Sequence, residues 1–211
     1  MRVRTPRTEY RLARLSERNA PGEPFPLFGR WFRAVLALGG ADPQAVALAT
    51  ADRRGHPSCR MMLLKSWGPR GFVLAGNYSS RKGRELAANP AGALLFYWPA
   101  LQKQVRVEGR LARLPGRESE VLWQERPRGA QLGALASDQS RAIRGRGVLE
   151  RRFALAAEDC AGEPVPRPAH WGGWRLRPSR IEFWQGRADR LHDRILYRRR
   201  GSRWTRERLA P

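Results

Sequence analysis

The chain has 211 residues, of which 41% are hydrophobic and eight are tryptophan, so a disordered polar polymer is excluded and one sizeable core is possible. No apolar run approaches the roughly 20 residues that a membrane-spanning helix needs. The net charge is +22, but the positive residues run from end to end and only Lys65, Lys82 and Lys103 are lysines, which favours a codon bias over a nucleic-acid surface.

The first 23 residues are basic and polar and end in a Pro/Gly tip, which predicts a mobile arm (residues 1–23) before one domain (residues 24–211). The arm lacks the apolar stretch of a signal peptide. The two cysteines, Cys59 and Cys160, are not in a metal-ligand spacing. We therefore expect a cytoplasmic protein with reduced thiols and no metal site.

The first predicted element is a helix from Pro24 to Leu38, where apolar positions recur at helical spacing and Gly39 and Gly40 follow as a stop. A β-rich region with Gly/Pro turns comes next. Its predicted strands are Ala45–Thr50, Ser58–Trp67, Phe72–Asn77, Ala93–Trp98 and Gln104–Leu114, with a short helix over Ser80–Asn89.

The second half of the chain begins with helical patterns at 116–125, 128–136 and 144–160, and a Pro-rich connector occupies 162–168. The closing strands are predicted at Trp171–Arg177, Ile181–Gln185, Ile195–Arg199 and Trp204–Leu209. Short strands joined by Gly/Pro turns are typical of an antiparallel meander or barrel. The whole pattern predicts one α+β domain built on a β-barrel.

The strand segment RMMLLK carries a cation at each end, Arg60 and Lys65. Because side chains alternate along a strand, Arg60 shares one face with Leu64, and Lys65 shares the other with Met61. Each face then has a cation beside an apolar stripe, which would serve two anionic ligands or two parts of one site. The alternative is that both cations lie in solvent.

The segment Ser79–Lys82 opens a helix directly after a strand. Free backbone N–H groups, a hydroxyl cap and the two cations Arg81 and Lys82 form a plausible phosphate site. Cations at a helix N-terminus oppose the helix dipole, so an anion there would relieve a repulsion. The alternative is an ordinary capped helix with solvated cations.

The segment WQGRADRLHDR places Arg190, His192 and Arg194 at alternate positions. If the segment is extended, all three share one face, where an imidazole and a guanidinium would handle protons and charge. The alternative is a polar edge strand. Neither a zinc spacing nor a nucleophile elbow, Walker loop or Rossmann fingerprint occurs.

Gln104, Gln139 and Ser140 are weaker candidates that would hydrogen-bond a heterocycle or a phosphate. Together with the segments above, they describe a β-barrel with several anion sites and neither a metal nor a nucleophile. A phosphorylated cofactor that performs redox chemistry fits that description.

The chain resembles the pyridoxine/pyridoxamine 5′-phosphate oxidase family through segments in order: RMMLLK, NYSSRKGRELAANP, KQVRVEG, RPRGAQLGALASDQS, EFWQG, RLHDR and the terminal RLAP. The resemblance runs from Pro24 to Pro211, and Glu9-Tyr10 extends it into the arm. It implies an antiparallel split β-barrel with flanking helices and a homodimer that binds FMN at the subunit interface.

The implied reaction is oxidation of pyridoxamine or pyridoxine 5′-phosphate to pyridoxal 5′-phosphate. Hydride passes from substrate C4′ to flavin N5, and O2 reoxidises the flavin to give H2O2. The resemblance assigns FMN contacts to Arg60, Met61, Leu64, Lys65, Ala75, Gly76, Arg81, Lys82, Gln104, Gln139, Ser140, Trp184 and Arg194. It assigns substrate contacts to Arg7, Tyr10, Lys65, Leu122, Arg126, Ala130, Arg190 and His192.

Two of these residues are implied to be catalytic: Arg190 would orient and polarise the substrate, and His192 would position it or assist proton transfer. Arg7 and Tyr10 would fold over the substrate as a lid. Lys65 and Arg126 would bind its phosphate.

Some positions depart from the family pattern. Leu122 and Ala130 replace a usual Tyr and Ser that bind the substrate phosphate, and Ala75-Gly76 replaces a Tyr-Thr pair near FMN. Each lost hydroxyl contact is worth about 0.5–1.5 kcal/mol, so binding of a phosphorylated substrate should weaken. The candidates for compensation are Trp123, Gln124 and Arg128.

A related branch, the phenazine-biosynthesis flavin oxidases, keeps the fold and FMN but acts on a reduced tricyclic carboxylate and lacks the lysine at Lys65. The presence of Lys65, Arg126, Arg190 and His192 favours the vitamin B6 reaction. Two less favoured functions are a non-catalytic flavin or pyridoxal-phosphate binder and a basic nucleic-acid binder.

Overall fold

The structure is a computed structural model that describes residues 9–211. Its helices are α1 (Pro24–Leu38), α2 (Arg81–Ala88), α3 (Gly116–Gln124), α4 (Arg128–Ala136) and α5 (Arg146–Asp159). Its strands are β1 (Ala45–Ala51), β2 (Pro57–Gly68), β3 (Gly71–Asn77), β4 (Ala91–Trp98), β5 (Lys103–Arg113), β6 (Trp171–Gln185), β7 (Asp193–Arg200) and β8 (Arg203–Leu209). Arg7 lies outside the described residues.

Local signals explain the helix ends. Helix α1 ends at Gly39, whose φ of +68° is a conformation that glycine adopts without strain. Helix α2 begins after Ser80, whose hydroxyl accepts a hydrogen bond from the backbone N–H of Gly83. The predicted helices and most predicted strands are confirmed, with ends within two residues.

The prediction of two separate strands at Trp171–Arg177 and Ile181–Gln185 is wrong, because β6 is one continuous strand. Its first residues pair with β3 up to Leu176, and its last residues pair with β7 from Arg180. Pro178 lies between the residues that pair with β3 and those that pair with β7. Neither pairing therefore requires the backbone N–H that proline lacks.

The strands follow the order β3-β2-β1-β4-β5-β6-β7-β8, and an antiparallel pairing of β3 with β6 closes six of them into a ring. Strands β7 and β8 continue from β6 as antiparallel neighbours. This hydrogen-bonding pattern confirms the predicted antiparallel split barrel with flanking helices.

The chain divides into two compact units, and strands β1, β4, β5 and β6 contribute to both. The first unit comprises the residues up to 48, 93–109 and 178–211, and the second comprises 49–92 and 110–177. The predicted boundary between an arm and a domain at residue 23 is not one of these divisions, and it stays a prediction.

Aromatic side chains form the core of each unit. In the first unit, Phe28 of α1 packs edge-on against Phe96, and Trp31 packs edge-on against Phe183. In the second unit, Trp123 of α3 and Trp171 of β6 pack against each other with centroids 5.0 Å apart, surrounded by Leu132, Cys160 and Val165. Both cores are covered by amphipathic helices, as the periodicity predicts.

The described part of the arm contacts β7 and β8. The backbone N–H of Leu15 donates to Asp193 Oδ2, and the Leu15 side chain is buried. Arg208 donates to the Leu15 carbonyl and to Glu17, and the Tyr197 hydroxyl donates to the Pro21 carbonyl. The segment from Leu15 to Pro21 is therefore held in place, and mobility of the arm stays a prediction.

No helix among residues 9–211 is long and apolar enough to cross a membrane. Cys59 is exposed and Cys160 is buried, and both are free thiols.

Candidate active site

The second unit contains a cavity of about 340 Å³ between β2 and the start of α2. It is lined by three cations and several neutral side chains: Ser58, Cys59, Arg60, Met61, Met62, Arg81, Lys82, Gln139 and Ser140. All five residues predicted to hold the FMN phosphate and its polar neighbours are thus brought together. We call Arg60, Arg81, Lys82, Gln139 and Ser140 the phosphate cluster.

Lys82 is the most buried cation of the phosphate cluster. Its Nζ donates to Ser80 Oγ at 3.0 Å and to Gln139 Oε1 at 2.6 Å. Burial, with a smaller contribution from the nearby charge of Arg60, lowers the pKa of Lys82 to about 8. The ammonium is therefore held in a partly desolvated position, where an anion would be bound strongly.

Gly76 of β3 lies against the side chain of Lys82. A Cβ at Gly76 would lie 3.2 Å from Lys82 Cε and 3.4 Å from Nζ, which is tighter than ordinary contact. The neighbouring Ala75 instead packs against the core around Trp123. The departure from the family at Ala75-Gly76 thus leaves space that the lysine stem fills.

Glu85 of α2 holds the two arginines of the phosphate cluster, and it was missed in the sequence. Its carboxylate accepts from Arg81 Nε at 2.8 Å and lies 3.3 Å from Arg60 Nη2. Arg60 Nη1 also donates to Thr50 Oγ1 at 2.6 Å. Glu85 follows Arg81 by four residues on a helix, and this spacing is the one sequence signal that could have predicted the ion pair.

The face alternation predicted for RMMLLK is confirmed. Arg60 is part-buried and Leu64 is buried, whereas Met61 and Lys65 are exposed. Lys65 also lies at an irregularity of the β2–β3 register, between Leu64 and Ser66. An extra residue at such a bulge redirects its side chain, so Lys65 is presented away from the buried face of β2.

In the first unit, Tyr10, Trp184 and His192 form an aromatic cluster. The Trp184 and His192 ring centroids are 4.6 Å apart, and the Tyr10 ring lies 5.8 Å from Trp184 and 5.9 Å from His192. Gly186 is necessary for this packing, because a Cβ there would lie 2.7 Å from the Tyr10 ring. Three predicted site residues are thus brought together. Gly186 supports their packing, and the sequence did not predict this role.

His192 has a defined hydrogen-bonding state. Its Nδ1 accepts a hydrogen bond from the backbone N–H of Arg187 at 3.1 Å, which assigns the proton of the neutral ring to Nε2. Burial lowers the pKa of His192, and the charge of Arg190 lowers it further. At neutral pH the ring is therefore a neutral Nε2–H donor.

Arg190 does not share an extended face with His192 and Arg194, so that prediction is wrong. Residues 188–190 form a short 3-10 turn, and β7 begins only at Asp193. Asp189 and Arg190 have φ values of +54° and +61°, a left-handed conformation that costs about 1–3 kcal/mol per non-glycine residue. The turn leaves the Arg190 side chain exposed.

Arg194 is positioned by a buried carboxylate in the first unit. Its Nε donates to Glu182 Oε1 at 2.7 Å, and Arg106 Nη2 donates to Glu182 Oε2 at 2.6 Å. Arg194 Nη1 also donates to the carbonyl of Ala210 in the terminal RLAP segment. Arg194 and Trp184 face each other in the β6–β7 register, and Gln104 is half-buried on β5.

The predicted substrate-phosphate residues Leu122, Arg126 and Ala130 lie together around α3 and α4. Arg126 Nη2 donates to the Ala130 carbonyl at 3.0 Å, and the guanidinium lies 5.1 Å from the Trp171 ring centroid. Burial lowers the pKa of Arg126, and its Nε is buried with no hydrogen-bond partner among the described residues. A buried donor left unpaired is a favourable partner for an anion.

Two of the three residues expected to compensate for Leu122 and Ala130 form hydrogen bonds elsewhere. Trp123 is buried and its Nε1 donates to the Val165 carbonyl, and Arg128 donates to the carbonyls of Cys160 and Glu163. Neither replaces the missing hydroxyls, and Gln124 is exposed.

The closed ring of six strands with two strands beyond it is the architecture of FMN-binding split-barrel proteins. A structure of an FMN-binding protein from Nostoc punctiforme, related to pyridoxamine 5′-phosphate oxidase, matches with a TM-score of 0.70 over 88% of this chain and 96% of that chain. At 18% identity, that match shows the fold alone.

Sequence comparisons identify the family. A model described as pyridoxamine 5′-phosphate oxidase matches residues 33–160, and one described as the pyridoxine 5′-phosphate oxidase C-terminal dimerisation region matches residues 171–211. The chain therefore belongs to the pyridoxine/pyridoxamine 5′-phosphate oxidase family, which confirms the resemblance and the oxidase class.

Individual relatives agree with that assignment. A pyridoxine/pyridoxamine 5′-phosphate oxidase from Rubrobacter xylanophilus is 53% identical over 97% of this chain and 94% of its own length. One from Pseudomonas paraeruginosa is 51% identical over 97% of this chain and 96% of its own length. PhzG from Burkholderia lata, solved with tetrahydrophenazine-1-carboxylic acid, is 34% identical, with a TM-score of 0.87 over 92% of this chain and 95% of that chain.

Proposed function

We propose that this chain is a homodimeric, FMN-dependent oxidase that converts pyridoxamine or pyridoxine 5′-phosphate to pyridoxal 5′-phosphate. O2 is the electron acceptor and is reduced to H2O2, and with the amine substrate water is consumed and ammonia is released. The observation that carries the proposal is the phosphate cluster, in which three cations line one cavity beside Gln139 and Ser140. Relatives of about 50% identity bear the name of this activity.

The side chains present fit FMN. A phosphate carries about two negative charges at neutral pH, and the buried ammonium of Lys82 with the guanidinium groups of Arg60 and Arg81 would neutralise them. Trp184, Arg194 and Gln104 would contact the remainder of the cofactor. When bound, FMN would supply the two-electron redox chemistry that side chains lack.

The aromatic cluster would hold the ring of the substrate. The neutral Nε2–H of His192 would donate a hydrogen bond, because Nδ1 is already occupied by the Arg187 N–H. This state suits positioning the substrate more than removing a proton from it. Tyr10 would cover the ring and exclude water, and the exposed guanidinium of Arg190 would orient and polarise the substrate.

The substrate phosphate would bind to Arg126 and Lys65. The Nε of Arg126, which has no hydrogen-bond partner within residues 9–211, is the donor best suited to this role. With Leu122 and Ala130 in place of hydroxyl residues, the site would rely on charge more than on neutral hydrogen bonds. We expect a higher KM for phosphorylated substrates than in relatives that have both hydroxyls.

A second candidate is oxidation of a reduced tricyclic carboxylate, as in phenazine-type biosynthesis. The likeness to PhzG and the apolar Leu122 beside Arg126 support it, since an arginine binds a carboxylate as well as a phosphate. Lys65 and Arg126 together favour the phosphorylated substrate.

The test uses purified holoprotein, which should be yellow and release FMN on acid denaturation. It is mixed in air with pyridoxamine 5′-phosphate, pyridoxine 5′-phosphate or a dihydrophenazine carboxylate, and peroxide and product are measured. Aldehyde and peroxide in equal amounts with the B6 vitamers support the proposal. Turnover of the tricyclic acid alone would replace it with the second candidate, and a colourless protein that FMN does not reconstitute would refute both. Cytoplasmic location stays a prediction.

A further inference from the structure

Glu85 lies buried beside the phosphate cluster, with only 7% of its surface exposed. Its Oε2 accepts from Thr50 Oγ1 at 2.5 Å and from Ser58 Oγ at 2.6 Å, and it lies 3.3 Å from Arg60 Nη2. Its Oε1 accepts from Arg81 Nε at 2.8 Å. One carboxylate thus joins a helix to two strands and contacts two of the three cations that line the cavity.

The charges of this group match a phosphate. Three cations and one carboxylate leave a net charge of +2 when Lys82 is protonated, against about −2 on a phosphate monoester. Without Glu85, the three cations would repel one another within one small cavity. The exposed Arg81 side chain would also regain its rotamer freedom, and binding would then have to restrict it.

A carboxylate near a phosphate also repels it, so two effects compete. Burial raises the pKa of Glu85, but hydrogen bonds from Ser58, Thr50 and Arg81 together with the charge of Arg60 lower it to about 2. The donors around the carboxylate therefore outweigh its desolvation, and they also compensate its charge locally. What remains is the fixed direction in which Arg60 and Arg81 are held.

We infer that Glu85 is a positioning residue that preorganises Arg60 and Arg81 for the phosphate of the cofactor. This inference rests on the proposed function. Preorganised donors bind an anion more tightly than mobile ones, because the cost of ordering them is met before binding. The competing explanation is that Glu85 only fastens α2 to β1 and β2.

The experiment compares FMN with riboflavin, which lacks the phosphate, on apoprotein by flavin fluorescence. For Glu85→Ala we expect the Kd for FMN to rise about tenfold while the Kd for riboflavin stays unchanged. Glu85→Gln keeps the shape and one acceptor, so we expect a rise of about threefold. A purely structural role would weaken both flavins alike.

Glu118→Gln is the matched control, because Glu118 makes a 2.6 Å ion pair with Arg175 in the same unit and is not a lining residue of the cavity. It should leave both affinities unchanged. An unchanged or tighter FMN affinity in Glu85→Ala, or an equal loss for riboflavin, overturns the inference. Should Glu85→Ala not fold, an unchanged FMN affinity in Glu85→Gln overturns it too.

The wild-type chain tests the proposed function separately. It should bind FMN at least about 100-fold more tightly than riboflavin, as expected for a phosphate held by several charge-assisted hydrogen bonds. Equal affinities for the two flavins would overturn the proposed phosphate site and the inference with it. A preference for FMN that Glu85→Ala leaves unchanged overturns the inference alone.

Discussion

The phosphate cluster and the aromatic cluster are built in different ways. The three cations of the first lie on regular elements, β2 and α2, and Glu85 contacts two of them, Arg60 and Arg81. The second combines Trp184 at the end of β6 with His192 after a turn in which Asp189 and Arg190 have positive φ. The cations of the phosphate cluster thus lie on regular elements, although Ser140 of that cluster has a φ of +70°, whereas the proposed catalytic Arg190 itself lies on strained backbone, as is frequent at active sites.

The comparison predicts that variants near the aromatic cluster lose turnover, whereas variants in the phosphate cluster lose FMN affinity. The largest effect is expected at Arg190. Arg190→Ala should cut turnover by more than about tenfold and leave the Kd for FMN unchanged, because Arg190 would contact the substrate. Steady-state assays and FMN titration measure the two effects. The control is Arg199→Ala, which removes an exposed arginine of β7 and should change neither turnover nor the Kd for FMN. Full activity in Arg190→Ala would remove Arg190 from the active site.

In the phosphate cluster, Lys82→Ala should raise the Kd for FMN about tenfold, the loss expected for one charge-assisted hydrogen bond. Turnover at saturating FMN should recover in part, in contrast to Arg190→Ala. The control Arg84→Ala removes an exposed cation of the same helix and should leave the affinity unchanged. A loss of turnover that excess FMN does not restore would place Lys82 outside the phosphate site.

Restoring hydroxyls near Arg126 tests the substrate assignment. Leu122→Tyr with Ala130→Ser should lower the KM for pyridoxamine 5′-phosphate several-fold, since each contact is worth about 0.5–1.5 kcal/mol. The KM for unphosphorylated pyridoxamine should not change, and it serves as the internal control. Equal changes for both amines would mean that these positions do not face the phosphate.

The affinity for FMN should depend on pH through Lys82. Its pKa of about 8 in the folded protein is below the ordinary 10.5, so the ammonium is present below pH 8 and lost as the pH rises through 8. FMN affinity should therefore fall above about pH 8; we call this decrease the alkaline limb of the pH profile. The Lys82→Ala variant should lack it. A flat profile in the wild type up to pH 9.5 would contradict the burial of this ammonium.

The smallest effect is expected for Gly76→Thr, which should shift the alkaline limb of the profile of FMN affinity against pH. A Cβ at Gly76 would displace the Lys82 stem towards solvent, which should raise the pKa of Lys82 and move the alkaline limb to higher pH. FMN titrations at several pH values detect the shift. An unmoved limb would mean that Gly76 does not set the position of Lys82.

The two regions also differ in how far the sequence predicted them. The alternation along β2 and the Ser80 cap of α2 are local signals, and they placed Arg60, Arg81 and Lys82 correctly. The turn at Asp189 and the continuity of β6 past Pro178 depend on strand pairing across the sheet, which periodicity does not contain. Glu85 was missed because its partners on β1 and β2, Thr50 and Ser58, lie far away in sequence, and Gly186 was missed because Tyr10 does.

The proposed function requires this chain to transfer electrons from a phosphorylated B6 vitamer to bound FMN. The most direct measurement mixes the yellow holoprotein with pyridoxamine 5′-phosphate without oxygen and follows the visible flavin absorbance, then admits air. We predict bleaching at one equivalent of substrate per flavin and return of the colour with O2. Dithionite, which reduces flavin chemically, is the control that the bound flavin can be bleached. If dithionite bleaches the protein but neither pyridoxamine nor pyridoxine 5′-phosphate changes its absorbance, the proposed function is contradicted.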